Sequence, residues 1–126
     1  MTDKIVNPPE KASHFIAASQ MDWVPSGVDK ISMKILYKDD DGRSTIMFKM
    51  EPGAVVPLHE HTKLEQTYVL EGSLEDDEGK CGAGDFVWRP AGNTHIAHSP
   101  NGAVILSIFT APNRFLDGTE FFTHKV

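Results

Sequence analysis

Short segments of alternating hydrophobic and polar residues, each ended by a turn, are the feature that most limits how this chain can fold. Residues 31–37 and 44–50 alternate in this way, and the polar stretch 38–42 lies between them. A period of two is typical of a half-buried β-strand, and the acidic turn closes the pair as a hairpin. Further strand candidates follow at residues 65–71, 86–89, 95–98 and 103–110. Strands spaced about every ten residues predict an all-β sandwich or small barrel that encloses a cavity.

The chain has the size and balance of one domain. It contains 126 residues, of which 40% are hydrophobic and 24% charged, and no linker or repeat divides it. The apolar residues within 9–22 are contiguous, so this stretch is equally consistent with a weak helix, a strand or an arm. We therefore expect an N-terminal arm over residues 1–22 and a β-domain over residues 23–126.

Charge and cysteine content exclude several classes of partner. Lysine and arginine number 12 against 18 acidic residues, a net charge of −6 that repels nucleic acid and anionic membranes. Cys81 is the one cysteine, so no internal disulfide is possible. The first ten residues are polar and lack the apolar run of a signal peptide. The chain is expected to be cytoplasmic, with no nucleic-acid or membrane partner.

Two histidines are spaced for metal binding. His59 and His61 are separated by one residue, so on an extended strand both imidazoles point to the same face. An isolated His-x-His is more often solvated or buried in a core than bound to metal. Here it lies within a longer block, G-x5-H-x-H-x3-E-x6-G, that begins at Gly53, includes Glu65 and ends at Gly72.

A second block follows with the spacing G-x5-P-x-G-x2-H, formed by Gly84, Pro90, Gly92 and His95. Together the two blocks resemble both halves of the cupin signature, except that Ser99 stands where the family usually has asparagine. This resemblance implies a single-domain jelly-roll barrel, the double-stranded β-helix of the cupin superfamily. It also implies four metal ligands: His59, His61, Glu65 and His95.

Shorter motifs are similar to the ChrR-type cupin-like subfamily. They are Asp-Trp-Val-Pro at 22–25, Gly-Val at 27–28, Leu-Tyr at 36–37, Pro-Gly at 52–53 and Val-Leu-Glu-Gly-Ser at 69–73. The subfamily contains dioxygenases similar to those that cleave dihydroxyacetophenone and acetylacetone, and the cupin domain of certain anti-sigma factors. The resemblance thus implies a dioxygenase that cleaves a small diketone or hydroxyaryl ketone, or alternatively a non-catalytic zinc-binding or small-molecule-sensing cupin.

The implied ligand set suits a transition metal. Three imidazoles and one carboxylate suit Fe, Mn, Ni, Cu or Zn rather than Ca or Mg. The resemblance to dioxygenases favours Fe(II) among these, with Zn, Ni or Mn as alternatives. Four ligands leave two positions of an octahedron for a chelating substrate and O2. A closed tetrahedral zinc site would instead favour the sensing role. We expect one metal ion per chain, a small-molecule ligand, no organic cofactor and no catalytic residue beyond the metal ligands.

Other candidate residues have simpler interpretations. His98 lies three residues after His95, so on a strand it faces the other way and is not expected to bind metal. The acidic run at residues 75–78 is expected to be a solvated hairpin tip, since charge runs usually face water. Cys81 lies in a turn and is not expected to be a nucleophile. Barrels of this kind commonly cover exposed edge strands with a partner subunit, which predicts a homodimer.

Overall fold

The computed structural model describes residues 4–116, and nearly all of the regular secondary structure among them is β-strand. The ten strands are β1 (Val24–Pro25), β2 (Ile31–Lys38), β3 (Ser44–Met50), β4 (Ala54–Glu60), β5 (Glu65–Glu75), β6 (Lys80–Gly82), β7 (Phe86–Arg89), β8 (Thr94–Ser99), β9 (Ala103–Phe109) and β10 (Arg114–Phe115). Two single-turn 3-10 helices, Pro9–Lys11 and Ala18–Gln20, precede them. None of the helices among these residues is long and apolar enough to cross a membrane. The all-β prediction is confirmed.

The strands form one curled sheet in the order β1-β2-β3-β9-β5-β8-β4-β10, while β6 and β7 also pair with β5. All of these pairings are antiparallel. Strand β5 is the centre of this arrangement, because its first half pairs with β7 and β9 and its last residues pair with β6 and β8. The curl encloses the interior of a jelly-roll barrel, as the sequence predicts.

Gly72 is the point at which β5 passes from one half of the sheet to the other. The register between β5 and β9 shifts at Leu70, which marks a β-bulge, and Gly72 follows with a φ of +74°. A β-carbon at Gly72 would overlap the carbonyl oxygen of Gly102 on the neighbouring turn. Only glycine combines that left-handed backbone with such a close approach, so this residue allows the 11-residue strand to bend.

The inward faces of the strands form one apolar core. Its members are Ile31, Met33, Ile46, Phe48, Met50, Ala54, Val69, Leu74, Ala97, Ala103, Ile105, Phe109 and Phe115. On β3 the burial alternates strictly, so that Ile46, Phe48 and Met50 point inward. Tyr68 and Trp88 are 42% and 60% exposed and lie on the outer face. Several of these core residues also line an interior cavity, next to buried polar side chains.

The strands predicted from sequence all occur in the structure, whereas β1, β4, β6 and β10 were not predicted. Strand β4 contains Pro57 and little alternation, so its sequence lacks a clear period of two. Residues 4–23 contain no strand, and the apolar side chains of Phe15 and Ile16 are 94% and 53% exposed. The domain boundary at residue 22 and the homodimer remain predictions.

Candidate metal centre

Two neighbouring strands bring the three motif histidines together. His59 on β4 and His95 on β8 are directly opposed partners in the antiparallel ladder. His61 lies just after β4, where its backbone N–H donates to Asn93 and its carbonyl accepts from Gly92. All three side chains are buried, and one ligand nitrogen of each lies within 4.8 Å of the others. Residues 34 positions apart in the sequence thus share one site inside the barrel.

Hydrogen bonds fix the orientation of two of these imidazoles. Nδ1 of His59 lies 2.7 Å from the carbonyl oxygen of Pro57, and Nδ1 of His95 lies 2.8 Å from Oδ2 of Asp76. Both partners only accept hydrogen bonds, so each Nδ1 must carry the proton and each Nε2 keeps its lone pair. Nε2 of His61 lies 2.9 Å from Nε2 of His95.

Burial keeps the three imidazoles neutral. Burial, with a smaller contribution from the neighbouring His95, lowers the pKa of His59 to about 4 against the opposing bond to Pro57. Burial, with smaller contributions from His59 and His95, lowers the pKa of His61 to about 2. Burial also lowers the pKa of His95, with Arg89 adding to the effect and Asp76 opposing it. Neutral imidazoles with free lone pairs are the form that binds a metal ion.

The spacing of the nitrogen atoms fits a metal ion. Two nitrogens 2.9 Å apart either share a proton or both face one ion. Two ligands each about 2.1 Å from an ion and about 90° apart would be separated by about 3 Å, close to the separation found. A tetrahedral angle would require a wider separation. The donor chemistry of the three histidines, and the Nε2 separation of His61 and His95, therefore fit a divalent transition metal.

Glu65 lies beside the cluster and is not among its converging ligand atoms. Its Oε2 is 3.2 Å from Nδ1 of His61, the nitrogen on the side opposite Nε2. Burial raises the pKa of Glu65 to about 7, and the nearby charge of Arg89 opposes the shift. The sequence prediction thus places Glu65 in the right part of the barrel, next to one histidine, and its role as a ligand remains a proposal.

Two charged residues of the site were not predicted. Asp76 belongs to the acidic run expected to be solvated, yet its side chain is only 3% exposed and accepts a 2.7 Å ion-pair contact from Arg89 as well as the bond from His95. The expectation of a solvated tip is wrong for Asp76. Arg89 shares the inward register of Val87 on β7, which is the one sequence signal that indicated its burial.

The other strand histidine lies outside the cluster, as predicted. Nε2 of His98 is 3.1 Å from Oε1 of Glu75, and the two side chains are 41% and 30% exposed. The metal-ligand cluster found among residues 4–116 contains only the three histidines at 59, 61 and 95.

His59 and His95 line a cavity of about 50 Å³. Since one ordered water needs roughly 10–15 Å³ of such space, the cavity has room for about four waters or one small ligand. Phe48, Phe109 and Phe115 line it together with other core residues. Thr67 and Ser107 also line the cavity, and their buried hydroxyls lie 2.8 Å apart.

Solved structures with a similar fold have been described under several names. An acetylacetone dioxygenase from Acinetobacter johnsonii has a TM-score of 0.77 at 18% identity, over 94% of this chain and 88% of that one. A cupin-like protein of unknown function from Ralstonia eutropha has a TM-score of 0.64 at 24% identity, over 71% of this chain and 62% of that one. At these identities the likeness shows the fold alone.

A complex of SigE with the anti-sigma factor ChrR from Rhodobacter sphaeroides is also similar, with a TM-score of 0.63 at 24% identity over 72% of this chain and 49% of the matched chain. The chain thus spans less than two thirds of the matched chains from Ralstonia eutropha and Rhodobacter sphaeroides. No curated protein matches it by sequence. The ChrR cupin-like domain model matches residues 11–114, which is most of the chain, and the protein therefore belongs to the ChrR cupin-like domain family.

Proposed function

We propose that this protein is a mononuclear metal-dependent cupin that cleaves a small diketone or hydroxyaryl ketone with O2. The observation that carries the proposal is the convergence of three buried imidazoles, two of which, His59 and His95, line a mostly apolar cavity. His59, His61 and His95 would hold the ion, and Glu65 is the fourth candidate ligand. Iron(II) is the favoured metal, and zinc, nickel and manganese are alternatives.

A divalent transition metal bound there supplies Lewis acidity toward the oxygens of an enolisable ketone and redox chemistry toward O2. The chain supplies the surroundings of the substrate. Aromatic side chains of Phe48, Phe109 and Phe115 line the cavity and exclude water from it. The small volume of the cavity favours a compact substrate.

The paired hydroxyls give the cavity a polar contact for such a substrate. Thr67 and Ser107 together carry two hydroxyl hydrogens, and the bond between them uses one. The second hydrogen can be donated to a ligand oxygen in the cavity. A compound with two carbonyl groups would bind the metal through one oxygen and accept this hydrogen bond through the other.

The proposal is tested first by elemental analysis of protein purified without a histidine tag and without added metal. About one iron per chain is expected. The iron-loaded protein is then given pentane-2,4-dione in an oxygen electrode, where one O2 should be consumed per ketone, with release of a carboxylic acid and a dicarbonyl. Loss of both metal and oxygen uptake in His59→Ala and His61→Ala would support the assignment of the ligands.

Two outcomes would redirect the assignment. Stoichiometric zinc with no oxygen uptake from any diketone or hydroxyaryl ketone would favour a zinc-binding or sensing cupin. A protein that binds no divalent ion would contradict the metal site itself.

The role of Glu65 is tested separately with Glu65→Gln. If Glu65 is a ligand, this substitution removes an anionic donor and metal affinity should fall as far as in the histidine variants. If its carboxylate only contacts Nδ1 of His61, 3.2 Å away, the loss should be about 10–100-fold, which is typical of residues that orient a ligand.

A further inference from the structure

Asp76 has an unusual place for a residue in an acidic turn. It lies immediately after β5 in the sequence. The preceding residue, Glu75, is partly exposed, and the two that follow, Asp77 and Glu78, are exposed. The side chain of Asp76 itself is 3% exposed. A carboxylate is buried in this way only where several donors replace the water that it loses.

The two carboxylate oxygens of Asp76 have different partners. Oδ1 accepts from the backbone N–H groups of Glu78 and Gly79, at 2.7 and 3.1 Å, and so closes the turn between β5 and β6. Oδ2 faces Nδ1 of His95 at 2.8 Å and a terminal nitrogen of Arg89 at 2.7 Å. Four donors therefore fix the carboxylate, and one of them belongs to the histidine cluster.

The contact with His95 determines which ring nitrogen carries the proton. An ionised carboxylate can only accept, so Nδ1 of His95 must donate and Nε2 must present its lone pair to the cluster. His59 receives the same constraint from the carbonyl of Pro57, which belongs to the backbone and cannot be removed by a side-chain substitution. At His95 the constraint comes from a side chain, and Arg89 prevents that side chain from turning away.

We propose that Asp76, held by Arg89, is a positioning residue that fixes the tautomer and orientation of His95 so that Nε2 faces the metal. This inference rests on the metal site of the proposed function, but it does not depend on the metal's identity, the substrate or the reaction. The acidic hairpin thus holds a metal ligand in place through a carboxylate–histidine contact of the kind that commonly orients metal ligands.

The test uses Asp76→Ser in the full chain. A serine hydroxyl can accept from the amides of the turn, as serine does in related turns, but it is too short to reach His95. The matched control is Asp77→Ser, which changes the exposed neighbour in the same turn. Zinc affinity is measured by competition with a chromophoric chelator. Asp76→Ser should bind zinc about 10–100-fold more weakly than the wild type, and Asp77→Ser should bind it as the wild type does.

A second readout needs no metal. Long-range nitrogen–proton correlation spectra of the metal-free protein report which nitrogen of each imidazole is protonated. In the wild type His95 should be protonated at Nδ1 alone, and in Asp76→Ser both tautomers should appear. A role limited to stabilising the turn would change neither signal in a folded variant.

The outcomes separate this inference from the proposed function. Unchanged zinc affinity together with an unchanged His95 tautomer in Asp76→Ser would overturn it. If that variant does not fold, a wild-type His95 protonated at Nε2 would overturn it equally, and one protonated at Nδ1 would support it. Failure of the wild type to bind any metal would contradict the proposed function, whereas the tautomer measurement would still decide whether Asp76 orients His95.

Discussion

Two histidine–carboxylate pairs lie next to each other, between β8 and the end of β5, and they differ in burial and in their other contacts. His95 on β8 contacts Asp76, which follows β5, and His98 on β8 contacts Glu75, the last residue of β5. The inner pair has side chains that are 7% and 3% exposed, whereas those of the outer pair are 41% and 30% exposed. Three residues of separation on β8 move the imidazole from the inside of the barrel to the outside.

The difference shows that burial, and not the pairing itself, distinguishes a site from a surface contact. Asp76 has lost its water and gained three donors besides His95, namely one side chain and two backbone amides. Burial opposes the ionisation of Asp76, but the bonds from His95 and Glu78, with the charge of Arg89, outweigh it and lower the pKa to about 2. Glu75 keeps contact with solvent, so its interaction with His98 competes with water.

The largest contrast is expected in metal binding. His95→Ala removes a nitrogen donor from the cluster and should weaken zinc binding by more than about 100-fold, since loss of an orienting partner alone costs about 10–100-fold. His98→Ala removes an imidazole of the same kind from the outer face and should bind zinc with the affinity of the wild type. Chelator competition with both variants measures this contrast. Equal losses in the two variants would show that the ligand cluster is wrongly assigned.

Most of the fold and three of the site residues could be predicted because they are recorded in short-range patterns. Alternation gave β2 and β3 to within one residue, and the spacing of the two motifs gave His59, His61 and His95. Strand β10 is only two residues long, which is too short to show an alternation of polar and apolar residues. It forms by pairing with β4, a distant part of the chain. It was therefore outside the reach of sequence reasoning.

Asp76 could not be predicted for a related reason. Within the sequence Asp76 is one of four consecutive acidic residues, and nothing local distinguishes it from Glu75 or Asp77. Its burial depends on a bond to β8 and an ion pair with β7, which only the folded barrel brings together. Charge runs indicate solvent exposure on average, and one member of this run is an exception.

A smaller contrast is expected in folding stability. Asp76→Ala removes the close carboxylate of the buried Arg89 guanidinium and leaves it only the exposed Glu78 carboxylate, 4.0 Å away. Breaking a buried pair in this way costs about 3–5 kcal/mol. Glu75→Ala breaks a partly solvated contact and should cost at most about 1 kcal/mol. Urea unfolding of the metal-free proteins, with EDTA present, measures both values without a contribution from bound metal. Similar losses would mean that the inner and outer pairs are energetically equivalent.

The smallest effect is the response of the outer pair to salt. The coupling between His98 and Glu75, measured by a double-mutant cycle with His98→Ala and Glu75→Ala, should be about 0–1 kcal/mol at low ionic strength. At 1 M salt the Debye length falls to about 3 Å, close to the length of the contact, so the coupling should shrink further. The same cycle on His95 and Asp76 should give a coupling that salt barely changes, because the buried pair excludes the ions that would screen it. A coupling between His98 and Glu75 that is large and independent of salt would mean that the outer pair behaves like the inner one. Burial would then not distinguish the contact of Asp76 with His95 from a surface ion pair.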